Sequence, residues 1–344
     1  MQQLKLAGFH QKHGAQFTEW GDASIPAHYG DADSEYRALA GTAGLIDLSH
    51  RGLLKITGED RVRFLNGQTT NDVAALKPGE VVYTAFTNQK GKMRADGTIL
   101  AFPDSFWIDV ESGRAQPLRQ DLEKFIIADD VAVENISARY NHFGLLGPQA
   151  PVILQALKLD FPSKPDEFRI VASAGYGELI VPRSFFGGDE FMEIFAPVDR
   201  AEGLASALDQ AGGRWAGWLA LEKRRVELGI PRFGIDMDEN TMPPEAGIQD
   251  RAISYTKGCY VGQEVISRIK SVGHVNRTLV RLKLSGSTPR GAKLVKDSAE
   301  VGWVTSCVEV PTKGWVGLGY LKRELAQTSD RLKGDGFDAM VNLT

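Results

Sequence analysis

The chain has 344 residues, in which 40 Lys and Arg stand against 44 Asp and Glu, giving a formal net charge of −4. With 42% hydrophobic and 24% charged residues, the composition is that of a globular protein, which excludes wholesale disorder. No apolar run approaches about 18 residues, so we expect no membrane-spanning helix. The slightly acidic balance, without a basic block, argues against a nucleic-acid partner.

The cysteines and the N-terminal segment indicate the compartment. Cys259 and Cys307 are too few for a disulfide framework. The first residues carry neither the apolar region nor the cleavage site of a signal peptide. We therefore expect a reducing, cytoplasmic location.

The length of the chain predicts about two domains, or three if one is small.

Most of the chain alternates predicted strands with predicted helices, which indicates an α+β or α/β protein. The predicted elements are, in chain order, a helix capped by Asp33 or Ser34 and ending near Gly41, strands 44–48 and 53–56, a helix that opens at residues 58–60 and turns Val62 and Leu65 inward, a hairpin of strands 81–86 and 93–101, a strand 106–110, a helix 115–127, strands 131–137, 143–146, 177–181 and 191–195, and helices 199–210 and 218–228.

From Arg277 onward the pattern changes to that of a small all-β domain. Residues 279–284 alternate with period 2, and 299–310 and 315–321 do so less regularly, with Gly and Pro between them. The sequence therefore predicts a C-terminal β-barrel over residues 276–344, after a core over residues 1–275.

The most distinctive segment is the octapeptide Lys257-Gly258-Cys259-Tyr260-Val261-Gly262-Gln263-Glu264. Its glycines allow backbone and ligand to approach closely, and Lys257 would favour the thiolate of Cys259 electrostatically. One interpretation is a functional thiol. The alternative is a buried cysteine in a well-packed turn.

A second feature is Glu193, an acidic residue in an apolar strand. Alternation along the strand puts Phe191, Glu193 and Phe195 on one face, with Met192 and Ile194 on the other. A carboxylate buried there needs hydrogen-bond donors. These come either from a basic side chain of the protein or from a planar heterocycle with adjacent ring N–H and amino groups.

A third feature is Arg225, which lies on the apolar stripe of the predicted helix 218–228. Its guanidinium either pairs with Glu222 three residues earlier or binds a carboxylate from elsewhere. Pairing with Glu222 is the simpler explanation.

The predicted hairpin brings a further pair of polar residues together. If its loop is centred between Gln89 and Lys90, Tyr83 lies opposite Asp96. A loop of odd length would shift this register by one residue. Beside Tyr83, Asp96 would act as a proton acceptor or orient an amine; the alternative is a solvated carboxylate at a strand end.

Other common site patterns are absent from the sequence. It contains no P-loop, no dinucleotide-binding glycine fingerprint, no HExxH and no CxxC pair. The six histidines are scattered along the chain. The sequence therefore predicts neither phosphoryl transfer nor a metal site.

These residues carry a resemblance to a known family. The octapeptide 257–264 is similar to the signature of YgfZ-type folate-binding proteins, relatives of the glycine-cleavage T-protein (aminomethyltransferase) that are implicated in maturing or repairing iron–sulfur enzymes. Four other segments look like blocks of this superfamily in the expected order: 43–50, 70–73, 225–229 and 243–246. These four are shared with the T-protein, whereas the octapeptide is specific to the YgfZ branch.

The resemblance implies a fold and a set of domains. The superfamily fold is α+β, a three-domain cloverleaf around a central opening that holds tetrahydrofolate, with a β-barrel as its last domain. Residues 1–275 would form the folate-binding core of two interleaved α+β subdomains, and residues 276–344 would form the barrel.

The resemblance also implies roles for individual residues. Glu193 matches the carboxylate that holds the pterin ring, and Phe186 stands where the T-protein has a tyrosine, so stacking is kept and a hydroxyl is lost. Arg225 matches the folate-contacting arginine. Tyr83 and Asp96 match the T-protein pair near the reactive folate nitrogens.

Asp96 and Cys259 point to different branches of the superfamily. In T-proteins the aspartate that matches Asp96 is held to be important in methylene transfer, and some YgfZ-type members lack it. Cys259 occupies a stretch where T-proteins carry an acidic residue. The octapeptide, including Gln263 and Glu264, carries more weight because more of its residues match.

Two functional hypotheses follow. The leading one is a tetrahydrofolate-binding protein that acts in iron–sulfur cluster assembly or repair, with Cys259 as a functional thiol and iron–sulfur enzymes or cluster-assembly proteins as partners. The alternative is an aminomethyltransferase, or a related folate-dependent one-carbon transferase, in which Asp96 activates folate N10 or the amine. A third interpretation is a scaffold protein that keeps the fold of the family but binds no folate. The sequence leaves the oligomeric state open.

Overall fold

A computed structural model describes residues 2–271, 273–311, 313–328 and 330–342. The chain forms two compact units, each assembled from separate stretches of sequence. The first comprises Met1–Asn66, Val73–Tyr83 and Gly97–Leu221, and the second comprises Gly67–Asp72, Thr84–Asp96 and Glu222–Thr344.

The helices are α1 Ala7–Lys12, α2 Ala32–Gly41, α3 Arg61–Gln68, α4 Ala115–Glu123, α5 Ala150–Ala156, α6 Ala201–Gln210, α7 Trp218–Leu228, α8 Gln249–Ala252 and α9 Gln263–Ser271, with short 3₁₀ turns at Ser137–Arg139 and Arg323–Leu325.

The strands are β1 Gln2–Gln3, β2 Gln16–Trp20, β3 Ala23–His28, β4 Gly44–Asp47, β5 Gly52–Thr57, β6 Val81–Thr87, β7 Met93–Ala101, β8 Phe106–Val110, β9 Ala132–Asn135, β10 Tyr140–Leu146, β11 Glu167–Ser173, β12 Gly177–Phe186, β13 Asp189–Pro197, β14 Arg214–Trp215, β15 Arg277–Leu284, β16 Lys293–Lys296, β17 Ala299–Val310, β18 Gly314–Lys322, β19 Arg331–Lys333 and β20 Asp338–Val341.

The first unit is organised around a six-stranded sheet in the order β11-β12-β13-β10-β4-β14. The central pair, β10 and β13, is antiparallel, with His142 opposite Phe195 and Gly144 opposite Glu193. One face of β13 contributes Met192 and Ile194 to the main hydrophobic core, on which α5 and α6 also pack. The sheet therefore buries one face under helices and turns the face that carries Glu193 the other way.

A second sheet has the order β6-β7-β8-β5-β9. Strands β8 and β5 are antiparallel, with Asp109 opposite Leu53, and both belong to the first unit. The hairpin β6–β7 is divided, since its residues Thr84–Asp96 belong to the second unit.

The second unit contains a closed barrel in the order β15-β18-β17-β16-β19-β20, with β20 pairing back to β15. Its interior is apolar and includes Leu282, Val304 and Leu332. Strands β17 and β18 approach so closely that a Cβ at Gly302 would lie 1.9 Å from the carbonyl oxygen of Tyr320. The prediction of a C-terminal β-barrel is confirmed, as is the α+β fold class.

Several predicted elements differ from the observed ones in detail. Helix α4 ends at Glu123 rather than at residue 127. Asp31, not Asp33 or Ser34, caps α2 by accepting a hydrogen bond from the backbone N–H of Asp33. Strand β11 and helix α9 were not predicted. The domain division at residues 275 and 276 stays a prediction. Among the described residues, no helix has the length and apolar character needed to cross a bilayer.

Candidate functional site

Glu193 lies on β13 as the alternation predicts. Met192 and Ile194 are fully buried in the main core, while Phe195 packs in a separate apolar cluster with Trp107 and Leu53. Glu193 itself is only 7% exposed. The carboxylate is therefore held in a largely apolar environment, and it needs hydrogen-bond donors.

The donors are His142 and Ser184, from the two strands that flank β13. His142 Nε2 donates to Glu193 Oε2 across 2.6 Å, and the Ser184 hydroxyl donates to Oε1. Burial by itself would raise the pKa of Glu193, but the hydrogen bond and charge of His142, together with Ser184, hold it below its usual range. Glu193 is therefore ionised at neutral pH.

The His142 ring is fixed by its surroundings. It stacks on Phe195 with ring centres 4.1 Å apart and planes inclined by 25°. Its other nitrogen, Nδ1, faces Asp109 Oδ1 at 3.9 Å, which is too long for a hydrogen bond. Nδ1 has no hydrogen-bond partner in the described part of the chain.

Behind His142 lies a buried ion-pair network. Arg51 binds Asp109 through Nε and Nη2, which lie 2.9 and 2.7 Å from Oδ2. Its Nη1 donates to Glu111 at 3.2 Å. Trp20 Nε1 donates to the other oxygen of Glu111. Together with Glu193 and His142, the network contains three carboxylates against one guanidinium and one imidazole, so it carries an excess of negative charge.

The spacing of three of these groups, taken alone, would allow a metal ion. The ligand atoms of Asp109, His142 and Glu193 all lie within 4.8 Å of one another. However, the guanidinium of Arg51 already supplies a cation against Asp109, and the short contact between His142 and Glu193 is a hydrogen bond. We therefore interpret the group as a hydrogen-bonded network rather than as metal ligands.

Phe186 and Phe191 lie on the same sheet as Glu193. Phe186 ends β12 and is half-buried, and its ring centre is 5.3 Å from that of Phe191. Ser184, the donor to Glu193, lies opposite Phe191 on β12. Aromatic rings and the carboxylate are thus contributed by two adjacent strands.

Arg225 lies in the second unit and is saturated with protein acceptors. Its Nε and Nη2 donate to the two oxygens of Glu222 at 2.7 and 2.6 Å, as the simpler sequence interpretation expects. Nη1 donates to Asp236 and to the carbonyl of Ile230, and Nη2 also donates to Ser306. A guanidinium has five N–H donors, and all five are used here. The side chain has none left for a ligand, and the structure gives it a structural role.

The octapeptide 257–264 is anchored at several points within the second unit. Lys257 is buried, and its Nζ donates to the carbonyl oxygens of Thr69 and Asn71 at 2.7 and 2.5 Å. Burial lowers the pKa of Lys257 to about 8. The hydrogen bonds of this ammonium therefore go to the segment 67–72, which the sequence interpretation had not foreseen.

The second half of the octapeptide packs on the hairpin loop. The Thr87 hydroxyl donates to the carbonyl of Val261 at 2.5 Å, and Val261 N donates to the carbonyl of Gly67. Gly262 has φ +87°, and a Cβ there would lie 2.5 Å from the carbonyl oxygen of Asn88. Only glycine fits this position.

Cys259 lies at the exposed part of this anchored segment, next to the exposed Gly258. The alternative of a buried cysteine in a turn is therefore wrong. Tyr260, in contrast, is buried, and Gln263 and Glu264 begin α9. The described surroundings hold the backbone on both sides of the thiol while leaving the thiol accessible.

The premise used to pair Tyr83 with Asp96 is wrong at the hairpin loop. Asn88 N donates to the carbonyl of Lys92 at 2.8 Å, and Gly91 N donates to the carbonyl of Asn88 at 2.9 Å. The loop therefore has three residues and is centred on Lys90, an odd length that shifts the register at this end by one residue. Tyr83 and Asp96 are both half-buried, and their pairing stays a prediction.

Sequence reasoning missed the partners of Glu193. His142 was not identified, nor were Arg51 and Asp109. Strand alternation alone cannot find them, because they come from β10, β8 and the residue before β5, which are distant in sequence. The one available signal was a histidine, His142, immediately before the predicted strand 143–146.

Comparison with known proteins identifies the family to which this chain belongs. The model of the GCVT N-terminal domain family matches residues 6–257, and the chain belongs to this family. Two relatives named aminomethyltransferase, from Desulforamulus reducens and Caldanaerobacter subterraneus, are 29% and 27% identical, covering 96% and 97% of this chain and 94% and 91% of their own.

A solved structure shows the same fold. The glycine cleavage system aminomethyltransferase T from Bartonella henselae superposes with a TM-score of 0.91, at 24% identity, covering 99% of this chain and 96% of its own. The fold is therefore that of the T-protein, with the barrel as its C-terminal part.

Proposed function

We propose that this protein binds tetrahydrofolate through Glu193 and acts as a folate-dependent one-carbon transferase of the aminomethyltransferase type. The observation that carries the proposal is a buried, ionised carboxylate on a sheet with aromatic rings, in a chain of this family. The relatives named above are aminomethyltransferases. This favours the transferase alternative over the YgfZ-type iron–sulfur hypothesis that the octapeptide suggested.

The free lone-pair positions of Glu193 fit the N–H donors of a pterin. An ionised carboxylate offers about four lone-pair positions, and His142 and Ser184 occupy two of them. The remaining positions can accept the adjacent ring N–H and amino groups of a pterin, a bidentate arrangement that is strong when the acceptor is charged. Phe186 offers a half-buried ring for stacking.

Other residues have different proposed roles. On the family resemblance, Asp96, half-buried on β7, is the candidate group for activating the folate nitrogen or the amine during transfer, and Tyr83 is a candidate folate contact. Arg225 is not proposed to bind folate, because protein acceptors use all its donors.

Calorimetric titration with tetrahydrofolate tests the binding. We expect wild-type protein to bind and Glu193→Gln to lose at least about tenfold in affinity, because the amide cannot accept two N–H groups from the ligand. Glu190→Gln is the matched control on the same strand, since Glu190 pairs with Arg183. Equal affinity of wild type and Glu193→Gln would refute the proposed site.

A second assay tests the reaction. The protein is mixed with an aminomethyl-lipoyl carrier protein and tetrahydrofolate, and 5,10-methylene-tetrahydrofolate is measured. We expect wild type to form it and Asp96→Asn to lose most of the rate while still binding folate. Folate binding without any methylene transfer would count against the transferase.

One observation favours a second candidate function, in iron–sulfur cluster assembly or repair. The Cys259 thiol is exposed on a segment anchored on both sides. The test is rescue of iron–sulfur enzyme activity in cells that lack this protein. Cys259→Ser should fail to rescue, whereas Cys307→Ser, whose thiol is half-buried, should rescue fully. Full rescue by Cys259→Ser removes this candidate.

A further inference from the structure

The contact between His142 and Glu193 joins the candidate folate-binding carboxylate to the ion pair of Asp109 and Arg51. His142 is 4% exposed and Glu193 is 7% exposed. A carboxylate only accepts hydrogen bonds, so the proton in their 2.6 Å contact is carried by His142 Nε2. The imidazole thereby fixes which way one oxygen of Glu193 points.

The imidazole is itself held on two sides. Phe195 stacks on its face, and Asp109 lies at its far nitrogen, where Arg51 holds that carboxylate in place. The ring therefore has little freedom to turn. A rigid donor of this kind preorganises the carboxylate that it bonds.

The charge balance of the cluster selects the kind of ligand. The charged and titratable groups around Glu193 are His142 on β10, Asp109 on β8 and Arg51 before β5, with Glu111 beyond them. Three carboxylates face one guanidinium and the imidazole of His142. The cluster is therefore short of positive charge, and it favours a ligand that presents N–H donors over one that presents an anion.

We infer that His142 is a positioning residue for the pterin-binding carboxylate: its Nε2–H bond orients Glu193 and keeps it an acceptor for the N–H groups of the ligand. This inference rests on the proposed function. The lowered pKa of Glu193, for which the hydrogen bond and charge of His142 outweigh the effect of burial, supports it. Without His142, the rise that burial causes in the pKa of Glu193 is opposed more weakly. Glu193 then takes up a proton at higher pH.

The test measures folate affinity by calorimetry between pH 4.5 and 8.5. A 5-formyl-tetrahydrofolate is the probe because it resists oxidation. In His142→Ala we expect the acid limb of binding to move up by about one pH unit, with about tenfold weaker binding at its lower end. His142→Gln keeps an N–H donor of similar reach and should approach wild-type affinity at pH 8.5.

Controls separate a positioning role from a packing role. His13→Gln removes a half-exposed imidazole of the same unit and should leave the profile unchanged. Wild-type profiles for both His142 variants would overturn the inference. A loss that is equal at every pH, with no displacement of the acid limb, would also overturn it, since that pattern reports packing alone.

A folate-free measurement distinguishes failure of the inference from failure of the proposed function. The titration of the Glu193 carboxyl carbon is followed by ¹³C NMR, with Glu193→Gln used to assign the signal. We expect its midpoint to rise in His142→Ala. If wild type binds no folate, the proposed function fails and this titration alone judges the coupling; an unchanged midpoint overturns the coupling too.

Discussion

Arg225 and Asp236 form an ion pair of 2.7 Å that solvent barely reaches, with the two residues 1% and 2% exposed. Both residues of the pair make further hydrogen bonds. Glu222 takes two more guanidinium donors, and the hydroxyls of Thr305 and Ser306 donate to the free oxygen of Asp236. These hydrogen bonds join α7 and Asp236 to β17 of the barrel.

The first prediction is that Arg225→Ala lowers the free energy of unfolding by about 3–5 kcal/mol. Removing one partner from a buried pair leaves Asp236 charged, desolvated and uncompensated. Urea denaturation followed by fluorescence measures the loss.

The control for this prediction is Arg119→Ala, which breaks a surface pair with Glu123. That change should cost no more than about 0.5 kcal/mol. An Arg225→Ala protein with wild-type stability but weakened folate binding would contradict the structural role.

The second prediction concerns the buried pair of Asp47 and His10. His10 Nε2 lies 2.8 Å from Asp47 Oδ2, and Tyr29 bonds the other ring nitrogen. Burial would raise the pKa of Asp47, but His10 and Ser49 outweigh it and hold the pKa below its usual value. A carboxyl of this kind stabilises the fold above about pH 4, and that contribution is lost as the pH falls through its lowered folded-state pKa.

Asp47→Asn should therefore cost about 2 kcal/mol or more at pH 7, because it weakens a charge-assisted hydrogen bond, and progressively less below pH 4. Urea unfolding at pH 7 and at pH 3 measures the difference. Asp209→Asn is the control, since Asp209 faces His13 at 4.0 Å on the surface. A cost for Asp47→Asn that is the same at pH 7 and pH 3 would show that the charge plays no part.

The third prediction concerns the buried ammonium of Lys257. Its pKa falls from 10.5 to about 8, because burial disfavours the charged form. Between these values the unfolded chain keeps a proton that the folded chain has released, so stability rises with pH in that window. Below pH 8 this gain is absent.

The free energy of unfolding of wild type minus that of Lys257→Met should therefore rise between pH 8 and pH 10.5, by up to about 3 kcal/mol. Unfolding in urea at several pH values checks this. Lys124→Met, which removes an exposed amine, should give a flat difference. A flat difference for Lys257→Met as well would mean that its amine titrates normally.

The fourth prediction separates the two glycines of the octapeptide. Gly262 has a positive φ, and an added Cβ would meet the carbonyl of Asn88 at 2.5 Å, whereas a Cβ at Gly258 would meet nothing within 4 Å. We expect Gly262→Ala to cost about 1–3 kcal/mol and Gly258→Ala to be close to neutral.

The reactivity of Cys259 with a disulfide reagent gives an independent measure of the same two variants. Gly262→Ala should change the rate of thiol modification because the anchored loop must shift, while Gly258→Ala should not. Equal stability and equal reactivity in the two variants would contradict the close approach to the hairpin loop.

Local patterns were sufficient for several features. The faces of β13 follow from alternation of Phe191 to Phe195, and the pairing of Arg225 with Glu222 follows from a spacing of three on one helix. Both depend only on neighbours along the chain, whose geometry the backbone repeat fixes.

The hairpin shows where local patterns fall short. The residues Asn88 to Lys92 indicate a turn, yet their number leaves both an even and an odd loop possible. The observed loop has three residues, with Gly91 at φ +69°, and this shifted the register at the loop end by one residue. A difference of one residue in a loop is decided by packing on both sides of the hairpin.

Periodicities of a few residues predict a chain of mixed helices and strands, the C-terminal barrel and the acidic residue in an apolar strand, and the family resemblance adds the choice of α+β over α/β. The folded chain was needed to show that His142 is the partner of Glu193, that Asp236 completes the bonding of Arg225, and that Cys259 is exposed while Lys257 is buried. These depend on which distant strands and loops meet and in what register, and such contacts form only when the chain closes on itself.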